Sequence, residues 1–205
     1  LRTVAHMTSL SRRLSAALAA AALAVAAIAA TAAGDTADAD ELDLDRQLHT
    51  PAIPQRQHAA TADHAARLAA SMRRQGLRAA TLRQSEIVLV SLPCDTLFAA
   101  NSTTPKPEAL RRLRPLREIV GQSERYKVVV AVHSDDTGDD AYSDALTEAR
   151  ANAIDDLLWQ LADRDDDTNV VIYGIGKDEP LHDNDSQAHR RANRRVEIYI
   201  VPLPH

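Results

Sequence analysis

His133-Ser134-Asp135 holds the three residue types of a hydrolytic triad, side by side at the end of an apolar run. Consecutive residues leaving a strand point to alternate faces, so the three cannot converge and nucleophilic catalysis from this tripeptide is excluded. The acidic run from Asp135 to Asp140 offers oxygen ligands to a hard cation. It fails as a calcium loop: its glycine follows after three residues instead of at the sixth position, and no helix precedes it. Asp165-Asp166-Asp167 reads as a solvated turn ahead of a strand. Cys94 is the single cysteine, which excludes both a disulfide framework and a Cys-rich zinc module. We expect no metal and no cofactor. One constellation survives these tests. Asp135, at the end of its strand, Arg150, fifteen residues on, and Asn193-Arg194-Arg195 offer one carboxylate and up to three guanidinium forks. That set suits a zwitterionic amino acid, the carboxylate taking its ammonium and an arginine taking its carboxylate in two parallel bonds. Spacing alone favours the plainer alternative, in which Asp135 and Arg150 tie loop to helix and Arg194 is a surface charge.

These residues need elements to position them. Tyr126 to His133 (YKVVVAVH) is an unbroken apolar run that predicts a buried, central strand ending just before Asp135. Glu86 to Leu92 (EIVLVSL) is a second strand by β-branched content, stopped by Pro93, and Asn169 to Ile175 is a third, stopped by Gly174 and Gly176. Arg195 to Val201 (RVEIYIV) alternates and closes the series. Between them lie a helix introduced by Pro105 and Pro107, with Leu110, Leu113, Leu116, Ile119 and Val120 at helical spacing. Next come a long helix over 139–162, with Ala145, Leu146, Ala149, Ala153, Ile154, Leu157, Leu158 and Leu161 inward, and a short one from Ser186 to Ala192. The order β-α-β-α-β-α-β predicts an α+β sandwich: a small mixed sheet of four strands with helices packed on one face. Upstream, Gln55 to Gln75 is helical in pattern, with Ala59, Ala66, Leu68, Ala69 and Met72 on one side and Gly76 as its end. We set residues 55–84 apart as an amphipathic helical segment and 85–205 as the folded domain.

The net charge of −5 conceals segregation. Residues 55–127 carry thirteen bases against six acids, whereas residues 128–189 carry three bases against sixteen acids. No general positive field would draw in nucleic acid, so we expect no such partner. Residues 1–33 combine Arg12-Arg13, an uncharged stretch from Leu14 to Ala30 and an Ala30-Thr31-Ala32 exit, the three parts of an export signal. An uncleaved anchor is the alternative, although 17 residues sit near the lower limit for a span. Residues 34–54 are acidic and proline-punctuated, and read as a flexible linker.

HSDDTGDDAYSDALTEARA, together with GIGKDEPLHDNDSQAHRRANRRVEIYI, resembles the OmpA C-terminal-like, peptidoglycan-associated domain family. VSLPCDTLFAANSTTPKPEALRRL is similar to the family's first strand and helix, so the likeness runs from about Glu86 to Pro202. The resemblance implies a protein of the periplasm, outer membrane or cell wall that binds peptidoglycan noncovalently, through the diaminopimelate of the stem peptide. It implies no reaction. By position, Asp135 takes the ligand ammonium, Arg150 grips a carboxylate and Arg194 supports it, with Ser134, Ser143 and Asn193 around them. The chain departs from the family pattern at Val132, Ser134, Ser143, Thr147 and His189, where Gly, Thr, Asn, Ser and Gly are usual; the charged pair is kept. Two other roles stay open: an adaptor using the same fold to contact envelope proteins, and a membrane-anchored part of a trans-envelope machine like the motor stators.

Overall fold

A computed structural model describes residues 55–82, 86–122, 125–162 and 170–203, with no statement made for the side chains of 55–60. The expected export signal, the acidic linker and the Asp165–Asp167 turn lie outside the described residues. In chain order the elements are α1 (Gln55–Arg74), β1 (Arg78–Leu82), β2 (Ile87–Pro93), a 3-10 turn (Cys94–Thr96) and α2 (Ala109–Leu113). A second 3-10 turn (Arg114–Leu116), α3 (Arg117–Val120), β3 (Tyr126–His133) and α4 (Asp140–Ala162) follow. The chain ends on β4 (Val170–Gly176), α5 (Gln187–Asn193) and β5 (Arg195–Pro202).

The sheet has five strands in the order β1-β2-β5-β3-β4, not four. β3 and β4 run parallel, and every other neighbouring pair is antiparallel. The additional strand is Arg78–Leu82, which the sequence reading absorbed into a helical segment. Arg-Ala-Ala-Thr-Leu carries too little β-branched content to declare itself, and it becomes a strand by hairpin pairing with β2, from Arg78 opposite Ser91 to Leu82 opposite Ile87. The segment we set apart is therefore part of the domain. Ala65, Ala69 and Met72 of α1 enter the same core as the strands. The stripe is displaced from the one expected: Ala65 is buried and Ala66 exposed, because the i, i+4, i+7 set 65, 69, 72 faces the sheet.

One face of the sheet supplies the apolar core. Val88, Val90 and Leu92 of β2, Val128, Val130 and Val132 of β3, and Val196, Ile198 and Ile200 of β5 point into it with Ile154 and Leu158 of α4. The helix expected after Pro107 is broken into α2, a 3-10 turn and α3, since Pro115 has no N–H to continue the ladder. Leu113, Leu116, Ile119 and Val120 still reach the core across the break. Among the described residues, no helix is long and apolar enough to cross a membrane.

Gly174 does not stop β4. It pairs with Val132 inside the strand, and a Cβ there would lie 2.6 Å from Thr147 C and 2.7 Å from Glu148 Cα. The missing side chain lets α4 ride directly on the sheet, which fixes the height of the helix carrying Arg150. Gly174→Ala is expected to lower stability by about 1–3 kcal/mol, because backbone cannot rotate away as a side chain does. Urea unfolding would measure it, and a change within error would mean that α4 can lift at no cost.

Candidate functional site

The site forms where three chain segments end together. β2 stops at Pro93, and the Cys94–Thr96 turn begins with the Cys94 N–H donating to the Arg194 carbonyl at 2.9 Å. That bond ties the end of β2 to the junction between α5 and β5. β3 stops at His133, and Ser134 extends its pairing by donating its N–H to Gly176 O at 2.7 Å. Asp135 is thereby carried to the same end of the sheet as Arg194.

Arg194 holds two carboxylates. Its Nη1 donates to Asp135 Oδ2 at 2.6 Å, while Nε and Nη2 reach the two oxygens of Asp95 at 3.4 Å each. Asp135 also accepts the Thr137 N–H at 3.0 Å. Burial raises the Asp135 pKa, but the Arg194 guanidinium and the Thr137 bonds outweigh it, and the carboxyl is held below its ordinary value. Arg191 adds an ion pair to Asp95 at 3.4 Å, and Lys106 Nζ donates to the Asp95 carbonyl at 2.6 Å. Asp95 is the member that the sequence reading missed. Its signal was its place just past Pro93, at a strand end that pairs with the NRRVEI strand.

Arg150 stands apart from Asp135. It is buried, and Nε and Nη2 donate to the carbonyls of Ser102 and Ala99 at 2.9 and 3.3 Å. Its guanidinium carbon lies 5.2 Å from the centre of the Phe98 ring. The loop it holds is pinched shut by a bridge between Phe98 and Pro105, and it passes through a left-handed residue, Asn101 (φ 55°). In this structure the cation on Asp135 is Arg194, and Arg150 is a tether for residues 99–102. The two arginines share a neighbour nonetheless. Burial pushes the Cys94 thiol up to about 12, and the charges of Arg150, Asp95, Arg194 and Arg195 all act on that sulfur. A thiol held so far toward its neutral form, 1% exposed, is unfit as a nucleophile.

The remaining expected residues are placed as follows. Ser134 is buried beside Asp135. Ser143 is wholly buried on α4, and its hydroxyl has no hydrogen-bond partner among the described residues. Asn193 is also wholly buried, with its amide spent on the loop ahead of α5. It accepts the N–H groups of Leu181 and His182 and donates to His182 O and Asn184 Oδ1, all at 2.8 to 2.9 Å. Asn193 is thus committed to shaping that loop, which orients the residue after it, Arg194. The amino terminus of α4 is capped: Asp139 Oδ1 accepts the Tyr142 N–H at 2.8 Å. The buried stripe of α4 is also more polar than expected. It runs through Ser143, Thr147 and Arg150, with Ala145 exposed, because the first half of the helix overlies the strand ends and not the apolar core.

A mixed sheet backed by helices on one face, with acidic and basic side chains collected at one end, defines a small α+β domain. Residues 97–194 match the OmpA family. The chain is similar to outer membrane porin F of Pseudomonas fluorescens, 31% identical over 116 residues, which are 57% of this chain and 34% of that protein. It spans between about a third and two thirds of the first curated relatives it matches. Among solved structures it is similar to a MotB-like protein of Desulfovibrio vulgaris, with a TM-score of 0.62 at 19% identity, covering 73% of this chain and 98% of that one. It is also similar to the cell wall anchor of the T6SS from Pseudomonas aeruginosa, with a TM-score of 0.54 at 28% identity, covering 67% and 96%. The first of these likenesses establishes the fold.

Proposed function

We propose that this chain is a cell-envelope protein that binds peptidoglycan noncovalently, engaging the diaminopimelate of the stem peptide. The observation that carries the reading is the Asp95–Arg194–Asp135 cluster at the end of the sheet, with Asp135 and Arg194 inside the stretch that matches the OmpA family and Asp95 just ahead of it. A solved relative, 28% identical, is described as a cell wall anchor, which supports the same assignment. The chemistry fits a ligand group carrying one ammonium and one carboxylate. Asp135 and Asp95 share Arg194, and Arg191 reaches Asp95 only at 3.4 Å, so the two carboxylates keep acceptor positions for a ligand ammonium. The 3.4 Å contacts from Arg194 to Asp95 are long for charged hydrogen bonds, and these are the bonds that a ligand carboxylate replaces at small cost. The ligand ammonium then takes the acids. Arg150 holds the 99–102 loop beside this site, and Asn193 orients Arg194 from behind. The role is one of binding: His133, Ser134 and Asp135 are consecutive along one strand end, and the Cys94 thiol is held neutral.

Cosedimentation of the full chain with purified sacculi tests this. Asp135→Ala and Arg194→Gln are each expected to weaken retention by about tenfold or more, since each removes a charge-assisted contact. Binding should also fall as salt rises. Equal retention of wild type and both variants, with all three folded, would sink the site.

A further inference from the structure

The basic half of the chain contains a second feature, which the Asp135 cluster does not use. A half-open cavity of about 500 Å³ lies between the end of α1, the start of β1, the end of β2 and the α2 region. Arg78, Arg111 and Arg112 line it, with Gly76, Thr96 and Pro115. Among the described residues, the lining contains no carboxylate. None of the three arginines makes an ion pair or a side-chain hydrogen bond with another described residue. Three arginines around one concavity with no acid among them make a locally positive surface that favours an anion.

We propose that this cavity is a binding site for a phosphate group. Without an acid in the lining there is nowhere to seat an ammonium, which separates it from the zwitterion chemistry of the Asp135 cluster. Three planar forks from two directions match a group with three terminal oxygens and more than one negative charge, whereas a single carboxylate is satisfied by one fork. The volume falls in the range of small-molecule sites, about 300–1,000 Å³, and so accepts a phosphate with part of the molecule bearing it. Arg73 and Arg74 in the last turn of α1 add positive field at the rim. The phosphate can belong to a soluble molecule or to a lipid headgroup, and both present the same oxygens to the same forks. The proposal does not rest on peptidoglycan binding.

The test is titration of the full chain with pyrophosphate at low salt, followed by calorimetry and by amide shifts. Wild type is expected to saturate, with shifts concentrated at residues 75–78, 91–96 and 111–112. R111Q/R112Q, and separately R78Q, should bind about tenfold more weakly or worse, with unchanged melting, because all three side chains are exposed. Asp135→Ala should bind pyrophosphate like wild type, which keeps this site distinct from the wall site. Vesicles of phosphatidylglycerol and of phosphatidylcholine then identify the source. Capture by the anionic vesicles alone, lost in R111Q/R112Q, assigns a lipid headgroup; pyrophosphate binding without vesicle capture assigns a soluble phosphate. No saturable pyrophosphate binding, or binding that is indifferent to the arginines, overturns the proposal. Vesicle capture without pyrophosphate binding also overturns it, since that is diffuse surface charge and not a cavity.

Discussion

Arg195→Met is expected to remove about 3–5 kcal/mol of folding stability, the largest loss from any single substitution considered, because it strands a buried carboxylate. On the sheet face opposite the apolar core, Arg195 Nε donates to Glu197 Oε1 at 2.7 Å and the Tyr199 hydroxyl donates to Oε2 at 2.6 Å. His133 Nε2 stands 3.3 Å from Oε2 without good hydrogen-bond alignment. All four side chains are no more than about 5% exposed. Burial alone would raise the Glu197 pKa, but the contact with His133, the Arg195 charge and the Tyr199 bond overcome it and hold the group at about 2. His133 moves the other way: burial lowers its pKa and keeps the imidazole neutral.

The sign of the pH dependence follows. A carboxyl depressed from 4.5 to about 2 stabilises the fold fully above 4.5, and that contribution drains away as pH falls through about 2. Wild type should therefore lose stability over that acid window, and Glu197→Gln should flatten the loss. Urea midpoints for wild type, Arg195→Met and Arg195→Met/Glu197→Leu decide the matter. The double variant should recover part of the loss, because no charge is then left stranded. A single-variant cost under about 1 kcal/mol would show that the carboxylate finds water instead.

The second large effect is expected from Arg150→Ala, at about 2–4 kcal/mol. It withdraws two charged hydrogen bonds from the carbonyls of Ser102 and Ala99 and the cation over the Phe98 ring. The local readout is sharper than the global one. Hydrogen exchange at the Ser102 amide, which donates to Ala99 O at 3.1 Å, should accelerate more than exchange in β3 or β5. Arg150→Lys keeps the charge but cannot span two carbonyls, and should fall between wild type and alanine. If exchange in the 99–104 loop is the same in all three proteins, Arg150 does not tether it. Because this residue is structural, Asp135 and Arg194 are the cleaner positions for testing wall binding.

Much of this was legible in order along the chain. YKVVVAVH reads as a buried strand because an unbroken β-branched run has no other economical home, and it became the third strand, flanked on both sides. The β5 alternation also held, yet its outward set, Arg195, Glu197 and Tyr199, is buried where alternation usually signals solvent. Period-two patterning reports which residues share a face, and is silent on whether that face is wet. β1 was illegible for a related reason: its strand state comes from its partner β2 and not from its own five residues.

The amino-acid sequence by itself determined the fold class, the strand and helix order of the last hundred or so residues, and the collection of charged residues at strand ends. Those follow from local periodicity and from turn residues, which act over a few positions. The tertiary structure alone decided the pairings. Arg194 meets Asp135 across 59 positions and Asp95 across 99, while Arg150 reaches back 48 to a loop carbonyl. Guanidinium groups are interchangeable in a sequence pattern. Only the three-dimensional path of the chain, set here by the bond from Cys94 to Arg194 and by the bare backbone at Gly174, determines which arginine lies within a few ångströms of which acid.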